Sequence, residues 1–566
     1  MPELHLDLRQ PWSQRLEARL CLTPTTSRLA FALPRWTPGS YLLREYVGQL
    51  ESLQVQQGSR QLTPRRVTPF AWELELDGLE PVTIAYALQA TELTVRTAHV
   101  NADHAFLPLA AVALQVEGER WSHYRLHLEL PAGWQPFVPL PQQGDGSWLA
   151  ASFDALIDSP LEAGPHPCHS FEVAGVPHRW VTWGGDLPLQ DPQWLADVER
   201  VCRACCQLMG LERPAADDYL VVLHLSEAGY GGLEHDNSTV LQFGRRTLRK
   251  PEGRRRLLQL LAHEYLHQWN VRRLRPAELT PIDYGRAVVV PSLWFAEGIT
   301  SYVDQLLPHA AGCCSADAVL ADLGEDLSRY RQSQGRAVQS LRSSSEEAWV
   351  KLYRPHAHAA NQQVSYYLKG AVLALVLDLH LRRHGSWLGA VLQALWHSHG
   401  RTGRGYTEAD LIAAFASQAS DLETLLPQWL RSTDDPPLAS LLADVGLRLE
   451  PVISTTPALG WQLEQRPGGG LWIERVQRGS AVQQAGLQVG DELIALNNER
   501  LRHKDDLAPL LLDQPTLQLL ISRDGLLRQL TVPAPEPQPE RWELRSDDAA
   551  SAAVQQRRAA WLLLQP

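Results

Sequence analysis

The chain has 566 residues, with 52 Lys and Arg against 64 Asp and Glu, and a net charge of −12 at neutral pH. This length predicts two to four domains, and 44% hydrophobic with 20% charged residues predicts full globular cores. The acidic balance argues against nucleic acid or an anionic membrane as the main partner, and no apolar run reaches the length of a membrane span.

The start, Met1-Pro2-Glu3-Leu4-His5, has neither the basic nor the apolar region of a secretion signal. Seven Cys is an odd count for a disulfide framework. Cys202, Cys205, Cys206 and the adjacent Cys313-Cys314 read as reduced, buried small hydrophobes, so a cytoplasmic protein is expected. A metal site at Cys202, Cys205 and Cys206 would lack a partner Cys pair at zinc-finger spacing.

Residues 1–175 read as β. Segments 4–7, 15–22, 28–34, 82–90 and 124–130 alternate apolar and polar residues between turn residues, which predicts a β-sandwich-like domain. One stretch inside it, Trp36-Thr37-Pro38-Gly39-Ser40-Tyr41, makes a Pro-Gly turn crowded by aromatics and reads as a packed corner. From about 176 the pattern changes. Residues 194–208 are helical and 218–225 form a strand. In Tyr230-Gly231-Gly232-Leu233-Glu234, the two glycines before an acid suggest an edge strand that a substrate backbone approaches closely.

Next comes His263-Glu264-Tyr265-Leu266-His267. On a helix, positions i and i+4 share a face, so both imidazoles can converge on one metal ion. Glu264 is placed to reach a water on that ion, which is the arrangement of zinc peptidases. The preceding run, Arg254 to Ala262, has good helix formers and an apolar face. A zinc site needs a third protein ligand. Glu297, in Leu293-Trp294-Phe295-Ala296-Glu297-Gly298, is an acid among apolar neighbours, where unpaired burial is costly. Gly298 costs about 1 kcal/mol in a helix interior relative to Ala, so close packing against the His263 helix is expected. Ser365-Tyr366-Tyr367-Leu368-Lys369-Gly370 then opens a long apolar helix.

Residues 455–535 form a further unit. Leu459-Gly460-Trp461 precedes alternating strands and Gly490-Asp491, and the stretch resembles a PDZ domain. Such domains add a peptide as a strand and hold its terminal carboxylate on backbone N–H groups. Leu459, Gly460 and Trp461 are the candidate carboxylate loop. Alternating Pro533, Pro535, Pro537 and Pro539 read as a stiff linker, and 549–564 as a terminal helix.

Taken together, these stretches resemble the glycyl aminopeptidase family of zinc metallopeptidases, a gluzincin group with a C-terminal PDZ domain. The resemblance runs over almost the whole chain, through Trp36 to Tyr41, Gly231 to His235, His263 to Pro276, Leu293 to Gly298 and Ser365 to Gly370. Leu266 and Ile299 depart from it, at positions often aromatic in relatives. It implies an α+β multidomain fold: an N-terminal β domain (1–175), a thermolysin-like, mainly helical peptidase domain (176–450), a PDZ domain (455–535) and a linker with a tail helix (536–566). It also implies one Zn²⁺ per chain on His263, His267 and Glu297, with Glu264 as general base. The oxyanion donor falls to Tyr367, with Tyr366 as the competing neighbour, and the substrate ammonium to Glu234 beside Gly231 and Gly232. The expected substrates are peptides with a free N-terminus and a small first residue such as Gly or Ala. A C-terminal peptide is a candidate partner of the PDZ domain. A zinc oligo-endopeptidase, or a PDZ scaffold with a degenerate peptidase domain, is the alternative.

Overall fold

The computed structural model describes residues 1–185, 187–454, 458–466, 469–511, 515–533, 538–547 and 549–566. The fold is multidomain α+β, with a β-rich N-terminal part, a helical middle and a C-terminal β domain. It divides into two compact units. One holds Met1–Val288, Ala310–Cys313 and Leu392–Thr407, the other Val289–His309, Cys314–Val391 and Glu408–Pro566.

In the first unit, the expected alternation becomes a seven-stranded sheet. Its strand Glu3–Asp7 pairs in parallel with Tyr124–Glu129 and antiparallel with Arg15–Leu22. Leu4, Leu6, Leu16, Ala18 and Leu20 face inward and are buried, as period-2 patterning requires. The strand expected over 28–34 stops at Ala32, short of Pro34, which has no N–H to donate to a ladder. A five-stranded and a four-stranded sheet complete this region.

A second five-stranded sheet follows, with strands β1 (Cys168–Val173), β2 (Val176–Trp183), β3 (Tyr219–Ser226), β4 (Tyr230–Glu234) and β5 (Ser238–Gly244) in the order β1-β2-β3-β5-β4. β3 is buried on both faces, so it reads as a continuous apolar run. β4 lies at the edge, antiparallel to β5, as the Gly-Gly pair suggested. Val181, Leu220, Val222, Leu233 and Val240 of this sheet share one core with Val95, Phe106 and Phe137 of the N-terminal β region. That shared core is why the boundary expected at 175 falls inside one compact unit. Helix α1 (Gly253–Leu266) follows β5, with His267 still helical in backbone angle at its cap.

In the second unit, Trp294–Gly298 forms a π-helical turn that continues into a helix over Ile299–Ala310. Helix α2 spans Tyr366–Arg383, capped by Ser365. Gly298 does pack closely, against α2: a side chain there would collide with the backbone of Gly370, and the reverse collision holds. Each glycine makes room for the other. By length and composition alone, Ala359–Arg383 is apolar enough to cross a membrane, but 83% of its most apolar window is buried within the protein, as in a core helix.

The C-terminal sheet holds β6 (Trp461–Gln465), β7 (Leu471–Val476), β8 (Glu492–Leu496), β9 (Thr516–Arg523) and β10 (Leu526–Pro533), in that order, with Glu499–Arg500 off β8. The stretch expected as linker departs from expectation. Pro533 ends β10, and Pro539–Ser546 is a strand paired antiparallel with Leu447–Ile453. Proline is tolerated there because it takes the first position of the strand. Pro535 and Pro537 lie outside the described residues. The tail helix, Ala552–Leu562, is anchored in the core. Trp561 Nε1 donates to Tyr302 Oη at 2.6 Å, and that hydroxyl donates to Asp378 at 2.9 Å. All seven cysteines are free thiols, and burial pushes the Cys206 thiol up to about 12.

Candidate active site

The site residues of the first unit meet where α1 faces β4. The rings of His263 and His267 lie 4.7 Å apart and nearly perpendicular. His267 Nδ1 is 2.6 Å from the Asn270 carbonyl. A carbonyl only accepts, so Nδ1 carries the proton and Nε2 is left as the lone-pair donor, the tautomer that a metal requires. Glu264 and His267 are buried and His263 half-buried.

The glycines of β4 have a steric reason. A side chain at Gly232 would collide with the Glu264 carboxylate. Two residues on, Glu234 is 3% exposed, and its Oε1 accepts no hydrogen bond. One donor atom from each of Glu234, Glu264 and His267 lies within 4.8 Å of the others. Two carboxylates this close repel when both are ionised, and a cation between them relieves the repulsion.

Gly39, at φ +82°, packs against the same carboxylate, and any side chain there would strike it. The Trp36 to Tyr41 corner is therefore part of the wall around Glu234, a role its residues alone did not disclose. Arg272, just past the motif, is buried and pairs with Asp158 at 2.7 Å and Asp236 at 2.9 Å. Asp158 also accepts from the Asp236 N–H at 2.8 Å. This paired buried cation ties the chain beyond α1 to the end of β4.

In the second unit, Glu297 is buried in the π-helical turn among Trp294, Phe295 and Ala296. Such turns recur at functional sites. Ser365 accepts from the N–H groups of Tyr367 at 3.2 Å and Leu368 at 3.4 Å, which starts α2 and sets its tyrosines. Tyr366 is fully buried and Tyr367 half-buried, their rings stacked at 4.7 Å. Burial, then the negative charge of Glu297 and the neighbouring Tyr353, push the Tyr367 phenol well above its usual range. It therefore stays a protonated donor at neutral pH. Its hydroxyl lies 3.2 Å from that of Tyr353. Sequence reasoning missed Tyr353, which sits in a segment without periodic pattern. Thus one unit brings together Gly232, Glu234, His263, Glu264 and His267, with Gly231 beside them in β4, and the other brings together Glu297 and Tyr367.

The C-terminal domain presents a second strand edge. β6 pairs with β7 and, among the described residues, has no other neighbour in its sheet. Gly460, at φ +74°, turns the chain into it, and its carbonyl accepts from the Gln477 N–H at 2.7 Å. A cleft of about 530 Å³ is lined by Leu459, Gly460, Trp461, Arg331 and Arg475 among others, with no Asp or Glu among the described residues that line it.

Comparison with known proteins agrees with this layout. The M61 glycyl aminopeptidase profile matches residues 256–373, the peptidase M61 N-terminal domain profile residues 3–165, and a PDZ domain profile residues 472–520. No curated protein matches the chain. The crystal structure of an aminopeptidase N family protein from Idiomarina loihiensis is 27% identical, with a TM-score of 0.92 over 99% of this chain and 100% of that one. Aminopeptidase A of Legionella pneumophila, solved with aspartic acid, is 14% identical with a TM-score of 0.48, over 95% of this chain and 57% of that one. That second likeness is too slight to carry an argument. With both peptidase profiles matched in order and a PDZ domain behind them, the chain is a peptidase and belongs to the M61 glycyl aminopeptidase family.

Proposed function

We propose that the protein is a zinc-dependent aminopeptidase that releases small N-terminal residues such as Gly and Ala from peptides. The observation that carries this reading is the buried convergence of Glu234, Glu264 and His267 beside the glycine-lined edge strand β4. An endopeptidase has no use for a second buried acid there. An aminopeptidase needs one for the substrate's ammonium.

The residues fit a zinc ion. Imidazole nitrogen and carboxylate oxygen are its usual donors, and the proton on His267 Nδ1 leaves Nε2 to bind. His263, His267 and Glu297 would hold one ion per chain. When bound, zinc supplies a water of lowered pKa and polarises the scissile carbonyl.

The chain's own residues do the rest. β4 aligns the substrate backbone as an added strand. Glu234 holds the ammonium in a charge-assisted contact and so sets which bond is cut. Glu264 takes the proton from the attacking water and delivers it to the leaving amine. Tyr367, kept protonated, donates to the oxygen on which negative charge develops.

The test is a panel of Gly- and Ala-initiated peptides and larger-residue counterparts, assayed with chelator and after Zn²⁺ return. Turnover of the small-residue substrates, lost to the chelator and restored by Zn²⁺, is expected. Turnover that survives full metal removal would overturn the reading.

A further inference from the structure

The strands Thr91–Thr94 and Thr97–Val100 form a hairpin in the N-terminal β region, with Val95 and Arg96 at its turn. Val95 is buried in the core it shares with Leu233 of β4 and Val240 of β5. Gln242 of β5 also donates to the Leu93 carbonyl at 3.4 Å. The turn is thereby pinned against the edge of the catalytic sheet. From it, Arg96 Nη2 donates to the Gly232 carbonyl at 3.1 Å. Gly232 is the residue that faces Glu264.

Arg96 has capacity to spare. Its side chain is half-buried, and its Nε is buried with no hydrogen-bond partner. A guanidinium offers five N–H donors in a planar fork, and the bond to Gly232 uses one. Among the described residues, no carboxylate pairs with it. In a chain with a net charge of −12, an unpaired cation beside the candidate general base calls for an anionic or carbonyl partner from outside the chain.

The spacing names that partner. Gly232 and Glu234 are two residues apart on one strand, which is about 6.8 Å at the usual rise. An extended dipeptide spans roughly the same length from its ammonium to its carboxylate, about two residues at 3.3–3.6 Å each. A dipeptide lying along β4 with its amine on Glu234 therefore brings its carboxylate level with Gly232, within the fork of Arg96. We infer that Arg96 is a specificity-determining residue that binds the C-terminal carboxylate of dipeptide substrates, so the site prefers peptides two residues long. This rests on the proposed role of Glu234 and deepens it.

The measurement is kcat/KM for Ala-Ala, Ala-Ala-amide and alanine p-nitroanilide, with wild type, Arg96→Ala and Arg96→Lys. The wild type is expected to favour the free acid over the amide by about 10- to 100-fold, the size of a charged hydrogen-bonded contact, mainly through KM. Arg96→Ala should lose that preference while holding its amide and anilide rates within about twofold, and Arg96→Lys should keep part of it. Equal wild-type rates on acid and amide would overturn the inference, even if the variants fail to fold. So would an Arg96→Ala protein that loses acid and amide turnover equally, since Arg96 would then only prop β4. If the anilide is cut without any carboxylate preference, this inference alone fails. If no free-amine substrate is cut at all, the aminopeptidase reading falls with it.

Discussion

Two strand edges in this protein are candidates to receive a peptide, and they differ in what stands beside them. β4 has glycines where it meets α1, because Glu264 occupies the space a side chain would take, and Glu234 closes its end. β6 carries Trp461 and Leu463, and the cleft beside it is lined by Arg331 and Arg475, with no acid among its described lining residues. An edge strand offers any peptide the same row of backbone donors and acceptors. The charge next to it decides which end of the peptide is received. Acids at β4 suit an ammonium. Arginines near β6 suit a carboxylate.

The sharpest way to break this contrast is to neutralise the acid that faces Gly232. Glu264→Gln removes a base and not a metal ligand, so metal content should stay at one per chain while kcat falls by about 10⁴-fold, the upper range for general base catalysis. Near-normal turnover in that protein would remove Glu264 from the chemistry. Tyr367→Phe should lower kcat by about 10²–10³-fold with little change in KM, as for a donor used only in the transition state. Tyr366, being fully buried, should show no such split on conversion to Phe. The opposite result would exchange their roles.

The β4 side also depends on how its sheet is tied to the motif. His178, on β2, donates from Nδ1 to the Val176 carbonyl at 2.9 Å and accepts at Nε2 from the Tyr265 hydroxyl at 3.0 Å. Burial pushes its pKa down to about 4 from 6.5. Between those values the unfolded chain takes up a proton that the folded one refuses. The stabilisation is therefore complete above pH 6.5 and is lost as pH falls towards 4, up to about 3 kcal/mol. Denaturant midpoints of wild type and His178→Gln at pH 7.5 and 4.5 should differ in this slope. Parallel slopes would mean that His178 does not titrate in that window. The smallest effect is expected at β6. A peptide with a free C-terminal carboxylate should bind at least about 10-fold more tightly than its amide, and equal affinities would remove the charge contrast between the edges.

Local patterns in the sequence survived folding well. The helix over 194–208 and the strand over 15–22 stand where their periodicity placed them, because each buries one face. The Gly-Gly-x-Glu strand and the His263 helix were legible for a similar reason: their chemistry is written within a few residues. What joins distant segments was not. Gly39 against Glu234 and Arg96 against Gly232 connect residues far apart in sequence, and neither leaves a periodic signal. Gly298 announced a close approach but did not name Gly370 as its partner. Alternating prolines masked the strand Pro539–Ser546, whose residues 541–546 pair in unbroken register with 447–452.

The central claim is that Glu234 makes β4 an edge for free N-termini. A free α-amine has a pKa of about 7.7–8.0, so it is largely charged at neutral pH. The direct measurement is kcat/KM for one Ala-initiated peptide, free and N-acetylated, in wild type and Glu234→Ala. The account predicts cleavage of the free peptide only, with KM raised and kcat lowered by Glu234→Ala because binding and alignment both suffer. Equal wild-type rates on the free and acetylated peptides would contradict it, and would make the protein an endopeptidase with Glu234 as an ordinary strand residue.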